Sequence, residues 1–428
     1  MNYQDFLDGK RRVVHPVGPD VEARDLHPLL HDWQARGVAW AVRTGRAALF
    51  WDCGMGKTLA QVEWARQSAQ TSLIVTPLSV AQQTVREAGK IDCDATYVRS
   101  SDEITGPGVW VTNYEMVDRF NPDAFGAVVL DESSILKSFD GATRTKLIHH
   151  FARVPYRLAC TATPAPNDVA ELTNHAEFLG VASRVEMLAA YFINDEKSWR
   201  LKGHAAAAMW DWVAGWAMAL RRPSDIGGDD TGYDLPDLRL VTHLLPVNTA
   251  PEGQLFATEL GGVSGRAKVR RDTMAARVER AVLLASDAEQ WIVWCGLNDE
   301  ADQVAALLPG AVNVEGSWAP DRKADALLGF ADGAFRVLVT KPSIAGFGMN
   351  FQSCARMAFV GLSDSYEQYY QAIRRCWRYG QARGVEAHIV LSELEGAIAE
   401  NVSRKEREAS VAMDALVERI SRKELPVG

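Results

Sequence analysis

The stretch LFWDCGMGKTLAQVEWA at residues 49–65 joins a short apolar run to a helical pattern through a glycine-rich turn. Glycines in such a turn let backbone N–H groups curl around phosphate oxygens, and the start of the following helix adds partial positive charge. A lysine at this place reaches the terminal phosphates, and the hydroxyl after it can ligate Mg²⁺. The turn therefore predicts a binding site for ATP and Mg²⁺, with these members: Gly54, Met55, Gly56, Lys57 and Thr58.

The match to the phosphate-loop pattern G-x-x-x-x-G-K-[ST] is incomplete, because Trp51 stands at the position of the first glycine. A chance G-K-T triplet is common. G-x-G-K-T between a predicted strand and a predicted helix is rare by chance, so the phosphate-loop interpretation is favoured.

A phosphate loop works with a carboxylate on a neighbouring strand, and AVVLDESS at 127–134 supplies two acids after four apolar residues. Ionised carboxylates are costly to desolvate, so a buried strand that ends in two acids indicates a nearby cation. We expect Asp131 to hold Mg²⁺ through water, and Glu132 to orient or deprotonate the attacking water. Two acids at a strand end are often only a solvated loop start, but Lys57 earlier in the same α/β unit favours the catalytic interpretation.

Outward from these motifs, short β-branched runs alternate with longer helical patterns in two separate parts of the chain. Such alternation predicts an α/β fold with two tandem parallel-sheet cores. The strands of the first core are predicted at 47–51, 72–77, 109–113, 127–132 and 156–164. Those of the second core are predicted at 291–296, 311–316, 336–341, 356–361 and 387–392.

Between the two cores, residues 183–222 carry Ala, Met and Trp at helical spacing without strand signals, and 226–237 is typical of a flexible connector. We expect a small helical insertion whose tryptophans pack in a core, although stacking on exposed bases is the alternative; the residues concerned are Trp199, Trp210, Trp212 and Trp216. From about residue 396, a narrow apolar stripe among dense charges predicts a surface helix, with Ile398, Val402, Leu416 and Ile420 in the stripe.

Composition excludes several classes of protein. The 428 residues are 47% hydrophobic, which is enough for two to three cores. The net charge of −9 means that any nucleic-acid contact is a local basic patch. Six cysteines without a C-x-x-C pair argue against a zinc knuckle or a disulfide scaffold. Without an apolar signal core or a run of about 18 apolar residues, we expect a soluble, cytoplasmic protein without a membrane partner.

Together the motifs resemble those of superfamily 2 helicases, and more closely the Swi/Snf-type translocases of double-stranded DNA, in a compact form like those of bacteriophages. LHDWQARGVAW at 30–40 resembles the adenine-side motif, in which the glutamine, here Gln34, reads the base. TATPAPND at 161–168 resembles T-G-T-P-x-x-N, and GFGMNF at 346–351 resembles motif V through Gly346, Gly348 and Asn350.

The resemblance implies two RecA-like lobes that hydrolyse ATP in the cleft between them. The chain then divides into an N-terminal arm (1–25), an ATP-binding lobe (26–182), a helical insertion and linker (183–240), a second lobe or C-terminal helicase domain (241–395), and a C-terminal brace helix (396–428). A bacteriophage member would work in the cytoplasm of its bacterial host.

QAIRRCWRYGQ at 371–381 reproduces motif VI, with Gln371 and Gln381 in place. Arg375 and Arg378 are three apart, so on a helix they would present two guanidinium groups from one face. Such arginine fingers complement the charge that spreads over the γ-phosphate in the transition state. The alternative is a basic helix that is solvated or paired with acids. The resemblance also places Gly348, Asn350 and Gln371 at the nucleotide.

For nucleic acid, the resemblance implies contacts to the backbone phosphates rather than to bases. The candidate contacts are Thr76, Ser79, Thr112, Asn113, Lys341 and Ser343, with Asn350 as a further one. Each of these taken singly is more often a turn or cap residue than a ligand. Binding to DNA of this kind ignores sequence and weakens steeply with salt.

Ser134 departs from the family pattern, in which this fourth position of motif II is usually His or Asp and helps to couple hydrolysis to the nucleic-acid track. Two other functions stay open. One is a helicase that unwinds RNA or a single strand, and the other is a scaffold that binds nucleotide and DNA or protein without hydrolysis. Proteins of replication, recombination or DNA modification are possible partners.

Overall fold

A computed structural model describes residues 14–137, 141–195, 199–247, 270–345 and 350–422. The chain forms two compact units. The first contains Met1–Thr231 together with Arg407–Gly428, and the second contains Gly232–Glu406. The division into five segments that the sequence suggests stays a prediction.

The first unit is built on a parallel sheet whose described strands follow the order β3-β4-β2-β5-β6-β1-β9. Central strands are buried along nearly their whole length, as expected when helices cover both faces of a parallel sheet. The strands are β1 (Arg46–Trp51), β2 (Thr71–Thr76), β3 (Thr96–Tyr97), β4 (Gly108–Asn113), β5 (Ala127–Asp131), β6 (Tyr156–Cys160) and β9 (Ala217–Leu220), with β7 (Phe192–Asn194) and β8 (Trp199–Leu201) in a separate antiparallel pair.

Because the strands of this sheet are parallel, their carboxyl ends lie at one edge. The register pairs Asn113 with Thr76 on β4 and β2, and Asp131 with Cys160 on β5 and β6. The helices are α1 (Asp32–Thr44), α2 (Lys57–Ser68), α3 (Leu78–Gly89), α4 (Ala142–His150), α5 (Leu172–Leu179), α6 (Arg184–Tyr191) and α7 (Ala206–Val213). The five strands predicted for the first core are confirmed, although the last ends at Cys160 rather than at Pro164.

The expectation that residues 183–222 hold no strand is wrong. This segment contains β7, β8 and β9, and β9 pairs with β1 at the edge of the main sheet. The run AMAL of β9 is short and wholly apolar, so periodicity alone cannot separate it from a buried helix. Its backbone pairing with β1, a long-range contact, decides its conformation.

The tryptophans of this segment pack as expected. Trp210, Trp212 and Trp216 are buried in the main core of the first unit, and Trp199 packs against that core. The rings of Trp212 and Trp216 meet edge to face with centroids 5.6 Å apart.

The second unit has its own parallel sheet, with the order β10-β15-β14-β11-β13-β12 among the described strands. The five strands predicted for the second core are present, and β10 was missed by sequence reasoning. The strands are β10 (Leu238–Leu245), β11 (Trp291–Cys295), β12 (Val312–Asn313), β13 (Val337–Thr340), β14 (Arg356–Val360) and β15 (Val385–Ser392). The helices are α8 (Met274–Leu284), α9 (Asn298–Leu307), α10 (Pro320–Ala331), α11 (Pro342–Ala345) and α12 (Tyr366–Ile373).

A buried ionic network lies at the carboxyl ends of β11, β14 and β15. The fully buried Arg277 contacts the carboxylates of Glu300 at 2.8 Å and Glu395 at 3.4 Å, and donates to the carbonyl of Val360 at 3.0 Å. Glu300 also accepts from the backbone of Gly296 at 2.8 Å. Paired charges of this kind fix the loops that leave the three strands.

The predicted C-terminal helix is present as α13 (Gly396–Ser421). All four apolar residues predicted for its stripe are buried. Ala412 and Leu416 belong to the main core of the first unit. The Arg221 guanidinium of the same unit donates to the Ser410 hydroxyl at 2.9 Å and forms an ion pair with Asp414 at 2.8 Å. None of the helices in the described part of the chain is both long and apolar enough to cross a membrane.

Candidate functional site

The glycine-rich turn after β1 has the backbone conformation that its sequence predicts. Gly54 and Gly56 have φ angles of 86° and 76°, in the left-handed region that glycine adopts without strain. A Cβ atom on Gly56 would lie 2.2 Å from the Gln34 amide nitrogen, so this position also needs glycine for space. The turn leads directly into α2, whose first residue is Lys57.

The Lys57 ammonium lies inside the turn. It donates to the backbone carbonyls of Trp51 at 2.8 Å and Asp52 at 3.1 Å. Thr58 follows in the first turn of α2 and is half-buried. The acceptors that hold the ammonium in the described residues are neutral, so its positive charge adds to that of the helix dipole at the start of α2.

Asp131 ends β5 as a buried carboxyl group. Burial raises its pKa, while the Thr76 hydroxyl, which donates to it at 3.0 Å, and the positive charge of Lys57 act in the opposite direction. The Tyr114 hydroxyl donates to the Asp131 carbonyl at 2.5 Å. Burial, together with the charges of Asp131 and Glu132, raises the pKa of Tyr114 well above its usual value.

Glu132 follows with a φ of 54°, a left-handed conformation that residues other than glycine rarely adopt. Its carboxylate faces Thr161, whose hydroxyl oxygen approaches Glu132 Oε2 at 3.5 Å. The Thr161 hydroxyl in turn accepts the backbone N–H of Thr163 at 3.1 Å. The loop after β6 is therefore connected to Glu132, and Ser134 approaches the Glu132 carbonyl at 3.4 Å through its own hydroxyl.

Gln34, the residue expected to read the base, uses both ends of its amide within the protein. Its oxygen accepts the backbone N–H of His31 at 2.9 Å, and its nitrogen donates to the Met55 carbonyl at 3.1 Å. The side chain therefore connects the start of α1 to the phosphate turn in this structure.

Trp51, at the position of the missing first glycine, is fully buried. Its ring packs at 5.4 Å from the ring of Trp33, and the indole lies so close to Gly37 that an added Cβ there would be 2.6 Å from Trp51 Cζ2. The indole therefore points away from the turn and supports α1, while the Trp51 carbonyl serves Lys57.

The surroundings of Asp131 fit a magnesium ion. The Asp131 carboxyl and the Thr58 hydroxyl are hard oxygen donors of the kind Mg²⁺ prefers. A divalent cation would also offset the cost of burying the Asp131 charge. The Gln61 amide lies against Asp131 and favours its ionised form.

The residues predicted to contact nucleic acid are divided between the two units. In the first unit, Thr76, Thr112 and Asn113 are buried at the ends of β2 and β4, while Ser79 is exposed at the start of α3. In the second unit, Lys341 follows β13 and is half-buried, and Ser343 is exposed in α11. Their roles stay predictions.

The motif VI arginines do not lie on a helix, which corrects the expectation that Arg375 and Arg378 share a helix face. Helix α12 ends at Ile373, and turns follow. One cause is visible in the backbone: the Arg375 carbonyl accepts the N–H of Phe351 at 3.0 Å, whereas a continuing helix would give it the N–H of residue 379.

Gln371 holds the first of these arginines. Its side-chain oxygen and its carbonyl accept from the buried Arg375 guanidinium at 2.7 Å and 3.1 Å. Arg378 is half-buried a turn further on. Asn350 is exposed and donates to the Gln352 side chain at 3.2 Å, whereas Gly346 and Gly348 lie outside the described residues.

Sequence reasoning missed three buried polar residues around Asp131 and Glu132: Gln61, Ser133 and His175. Ser133 stands next to the predicted acids, so its position could have been noted. A glutamine and a histidine inside helical runs give no spacing signal, and only the packing of α2 and α5 brings them to this edge of the sheet.

Comparisons with known proteins agree with the second half of the motif series. Residues 275–380 match the family described as helicase conserved C-terminal domain. A stretch of 214 residues is 25% identical to human (Homo sapiens) TATA-binding protein-associated factor 172, covering 41% of this chain and 11% of that protein. The chain thus spans about a tenth of the length of this curated relative.

A solved structure of the Sulfolobus solfataricus SWI2/SNF2 ATPase core in complex with dsDNA is also similar. It covers 92% of this chain and 97% of its own, at 18% identity and a TM-score of 0.44. The likeness to a bacteriophage form stays a prediction. The resemblance to superfamily 2 helicases of the Swi/Snf type is confirmed as a resemblance, and residues 275–380 match the helicase C-terminal domain.

Proposed function

We propose that this protein is an ATP-dependent DNA translocase that hydrolyses ATP and moves along duplex DNA. The observation that carries the proposal is the arrangement in the first unit. A left-handed glycine turn holds an ammonium through backbone carbonyls, and this ammonium acts electrostatically on a buried carboxyl with a raised pKa. Triphosphate and Mg²⁺ are the partners that complement both groups.

In this proposal the site residues of the first unit bind the triphosphate, hold its metal ion and activate the attacking water. Backbone N–H groups of the turn and the Lys57 ammonium bind the phosphates, while Thr58 and Asp131 hold Mg²⁺. When bound, Mg²⁺ neutralises phosphate charge. Glu132 accepts a proton from the attacking water, as its place beside Asp131 allows.

From the second unit, Arg375 and Arg378 act as fingers on the γ-phosphate in the transition state. Support comes from Gln371, whose amide oxygen orients the Arg375 guanidinium at 2.7 Å. A side chain held in one geometry loses less conformational entropy when the substrate arrives. The planar guanidinium suits a developing phosphoryl charge better than an ammonium would.

The track in this proposal is DNA, contacted at backbone phosphates without regard to sequence. The choice of duplex over RNA or a single strand rests on the resemblance to the Swi/Snf branch. Exposed Ser79 and Ser343 and half-buried Lys341 are the accessible candidate contacts. The net charge of −9 confines the attraction to such local patches.

The test is phosphate release from ATP with duplex DNA, single-stranded DNA or RNA present, at several salt concentrations. We expect duplex DNA to stimulate most, with stimulation that falls steeply as salt rises. Preference for RNA or a single strand would favour the unwinding helicase, and no turnover with any polynucleotide would favour the scaffold. Displacement of the third strand of a triplex then reports movement along a duplex without strand separation.

A further inference from the structure

A buried histidine touches the loop that carries the catalytic acids. His175 Nε2 of α5 lies 3.1 Å from the hydroxyl oxygen of Ser133, which directly follows Glu132. Both residues are fully buried. On its other side the imidazole meets the Phe50 ring edge to face, with centroids 5.2 Å apart. The imidazole is therefore fixed between strand β1 and the segment that follows β5.

The neighbouring residue of the same helix holds the same segment further on. The Asn174 amide nitrogen donates to the Leu136 carbonyl at 2.8 Å. Two consecutive side chains of α5 thus attach residues 133–137 at their beginning and near their end. One helix turn earlier, Glu171 accepts from the Asn167 amide at 2.8 Å, so the same part of the chain also holds the loop after β6.

Glu132 is the residue that needs such support. Its φ of 54° places a bulky residue in the left-handed region, which costs roughly 1–3 kcal/mol unless the surroundings impose it. Without restraint the peptide after Glu132 would relax to an ordinary conformation and turn the carboxylate elsewhere. The Glu132 carbonyl of that peptide accepts the Ile135 N–H at 3.2 Å within the segment, and Ser133 adds a restraint from outside the segment through its contact with His175.

Burial also keeps the imidazole neutral. Desolvation lowers the pKa of His175 to about 4, against the opposing effect of the Glu171 and Ser133 carbonyls. Near neutral pH the ring therefore exchanges a hydrogen bond with Ser133 without adding a charge beside Glu132. A neutral partner of this kind restrains geometry and leaves the electrostatics of the carboxylate unchanged.

Resting on the proposed ATP hydrolysis, we propose that His175 is a positioning residue that acts through Ser133 to hold Glu132 in its catalytic orientation. Ser134 stands where helicase relatives usually carry a coupling His or Asp. The His175–Ser133 contact gives the chain another link between motif II and helix α5, which follows TATPAPND. Changes in that helix then reach Glu132 through one hydrogen bond.

The test compares steady-state ATP hydrolysis by His175→Phe, His175→Gln and Ser133→Ala in the full chain with duplex DNA. Phenylalanine keeps the aromatic packing on Phe50 and removes the hydrogen bond, whereas the Gln amide can restore it. We expect kcat to fall about 10- to 100-fold in His175→Phe and Ser133→Ala, with KM for ATP changed less than about threefold. His175→Gln should recover most of the loss.

Thr173→Val is the matched control, because Thr173 is equally buried on α5 but donates to the Ala170 carbonyl of its own segment at 2.6 Å. Hydrogen exchange of the backbone amides at 132–137 should speed up in His175→Phe and Ser133→Ala but not in Thr173→Val. Ser133→Ala removes a single oxygen, so it tests the proposal even if His175→Phe does not fold.

The outcomes separate the two proposals. Turnover by the wild-type chain with an unaltered kcat in Ser133→Ala overturns the positioning role alone. An equal loss in Thr173→Val, or a loss in KM rather than kcat, also overturns it. No turnover by the wild-type chain under any condition overturns the proposed function and the positioning role with it.

Discussion

The phosphate-turn region of the first unit and the ionic network of the second unit occupy equivalent places, at the carboxyl ends of parallel strands. In the network, the buried carboxylates of Glu300 and Glu395 contact the Arg277 guanidinium directly. In the phosphate-turn region, the Lys57 ammonium donates to two backbone carbonyls, and Asp131 accepts from a neutral hydroxyl.

The two regions differ in what their charges do. Those of the ionic network stabilise the fold, whereas those of the phosphate-turn region are available to bind a ligand. Arg277 and Arg270 together balance the charges of Glu300 and Glu395, so the network does not need a further ion. Lys57 and Asp131 interact electrostatically without direct contact. The raised pKa of Asp131 reflects the unfavourable burial of its negative charge. A site in which an ammonium and a carboxyl group are not directly paired is suited to a phosphate with its metal ion.

The Lys57→Ala variant is the strongest test of this comparison. If the ammonium serves the ligand, we expect ATP turnover to fall below detection while the midpoint of urea unfolding changes little. Only two hydrogen bonds to carbonyls are lost, at a cost of about 1–2 kcal/mol. Phosphate release and urea titration followed by tryptophan fluorescence measure the two effects. Unchanged turnover would remove Lys57 from the site.

Arg375→Ala sharpens the comparison within the second unit. Arg375 is buried like Arg277, but its guanidinium donates to an amide oxygen. We expect turnover to drop by roughly 10³-fold or more while ATP affinity is largely kept, because a finger acts in the transition state. Arg375→Lys should not restore activity. A proportional collapse of nucleotide affinity, measured by fluorescent ATP binding, would contradict the finger role.

Arg277→Met should lower the unfolding free energy of the protein rather than the turnover number of a folded molecule. Removing the guanidinium leaves two buried carboxylates without it, at a cost of about 3–5 kcal/mol of unfolding free energy. Adding Glu300→Gln should recover part of the loss, because one buried charge disappears. Urea unfolding of the single and double variants measures both values. A loss under about 1 kcal/mol from Arg277→Met would mean that the network is not structural.

The smallest effect concerns Glu171, a buried acid that pairs with no arginine among the described residues. Burial raises its pKa from 4.5 to about 7, although two hydrogen bonds from Asn167 oppose the shift. Between these values the folded state keeps a proton that the unfolded state has lost, so this acid lowers stability as the pH rises through the window. Relative to wild type, Glu171→Gln should therefore be more stable at pH 8 than at pH 4.5. The difference in unfolding free energy between the two pH values should be at most about 3 kcal/mol.

Urea titrations of wild type and Glu171→Gln at both pH values give the difference. A difference of zero, or one that favours the wild type at pH 8, would show that Glu171 is ionised at little cost in the folded state.

Much of the fold could be predicted because its strands are short apolar runs that end at distinctive motifs. β1 and α2 surround the phosphate turn, and β5 ends at Asp131, as expected. β9 was missed because AMAL follows a helix of similar composition, and only its pairing with β1 makes it a strand. Long-range pairing of this kind leaves no local pattern in the sequence.

Site residues could be predicted from the sequence where a particular backbone conformation requires a particular residue type. Gly54 and Gly56 adopt the left-handed angles that the motif needs. The motif VI arginines show the limit, since their spacing suited a helix that ends before them at Ile373. His175 could not be found from its neighbours, because its contact with Ser133 joins residues 42 positions apart.

The C-terminal helix has a consequence for how the protein is made. Ala412 and Leu416 complete the core of the first unit, whose main segment ends at Thr231. At about 5–20 residues per second, a ribosome needs roughly 10–40 s to make the chain between these points. Throughout that interval the nascent first unit exposes the apolar surface that this helix later covers. A chaperone that binds exposed apolar chain would therefore meet this unit before synthesis of the second unit is finished.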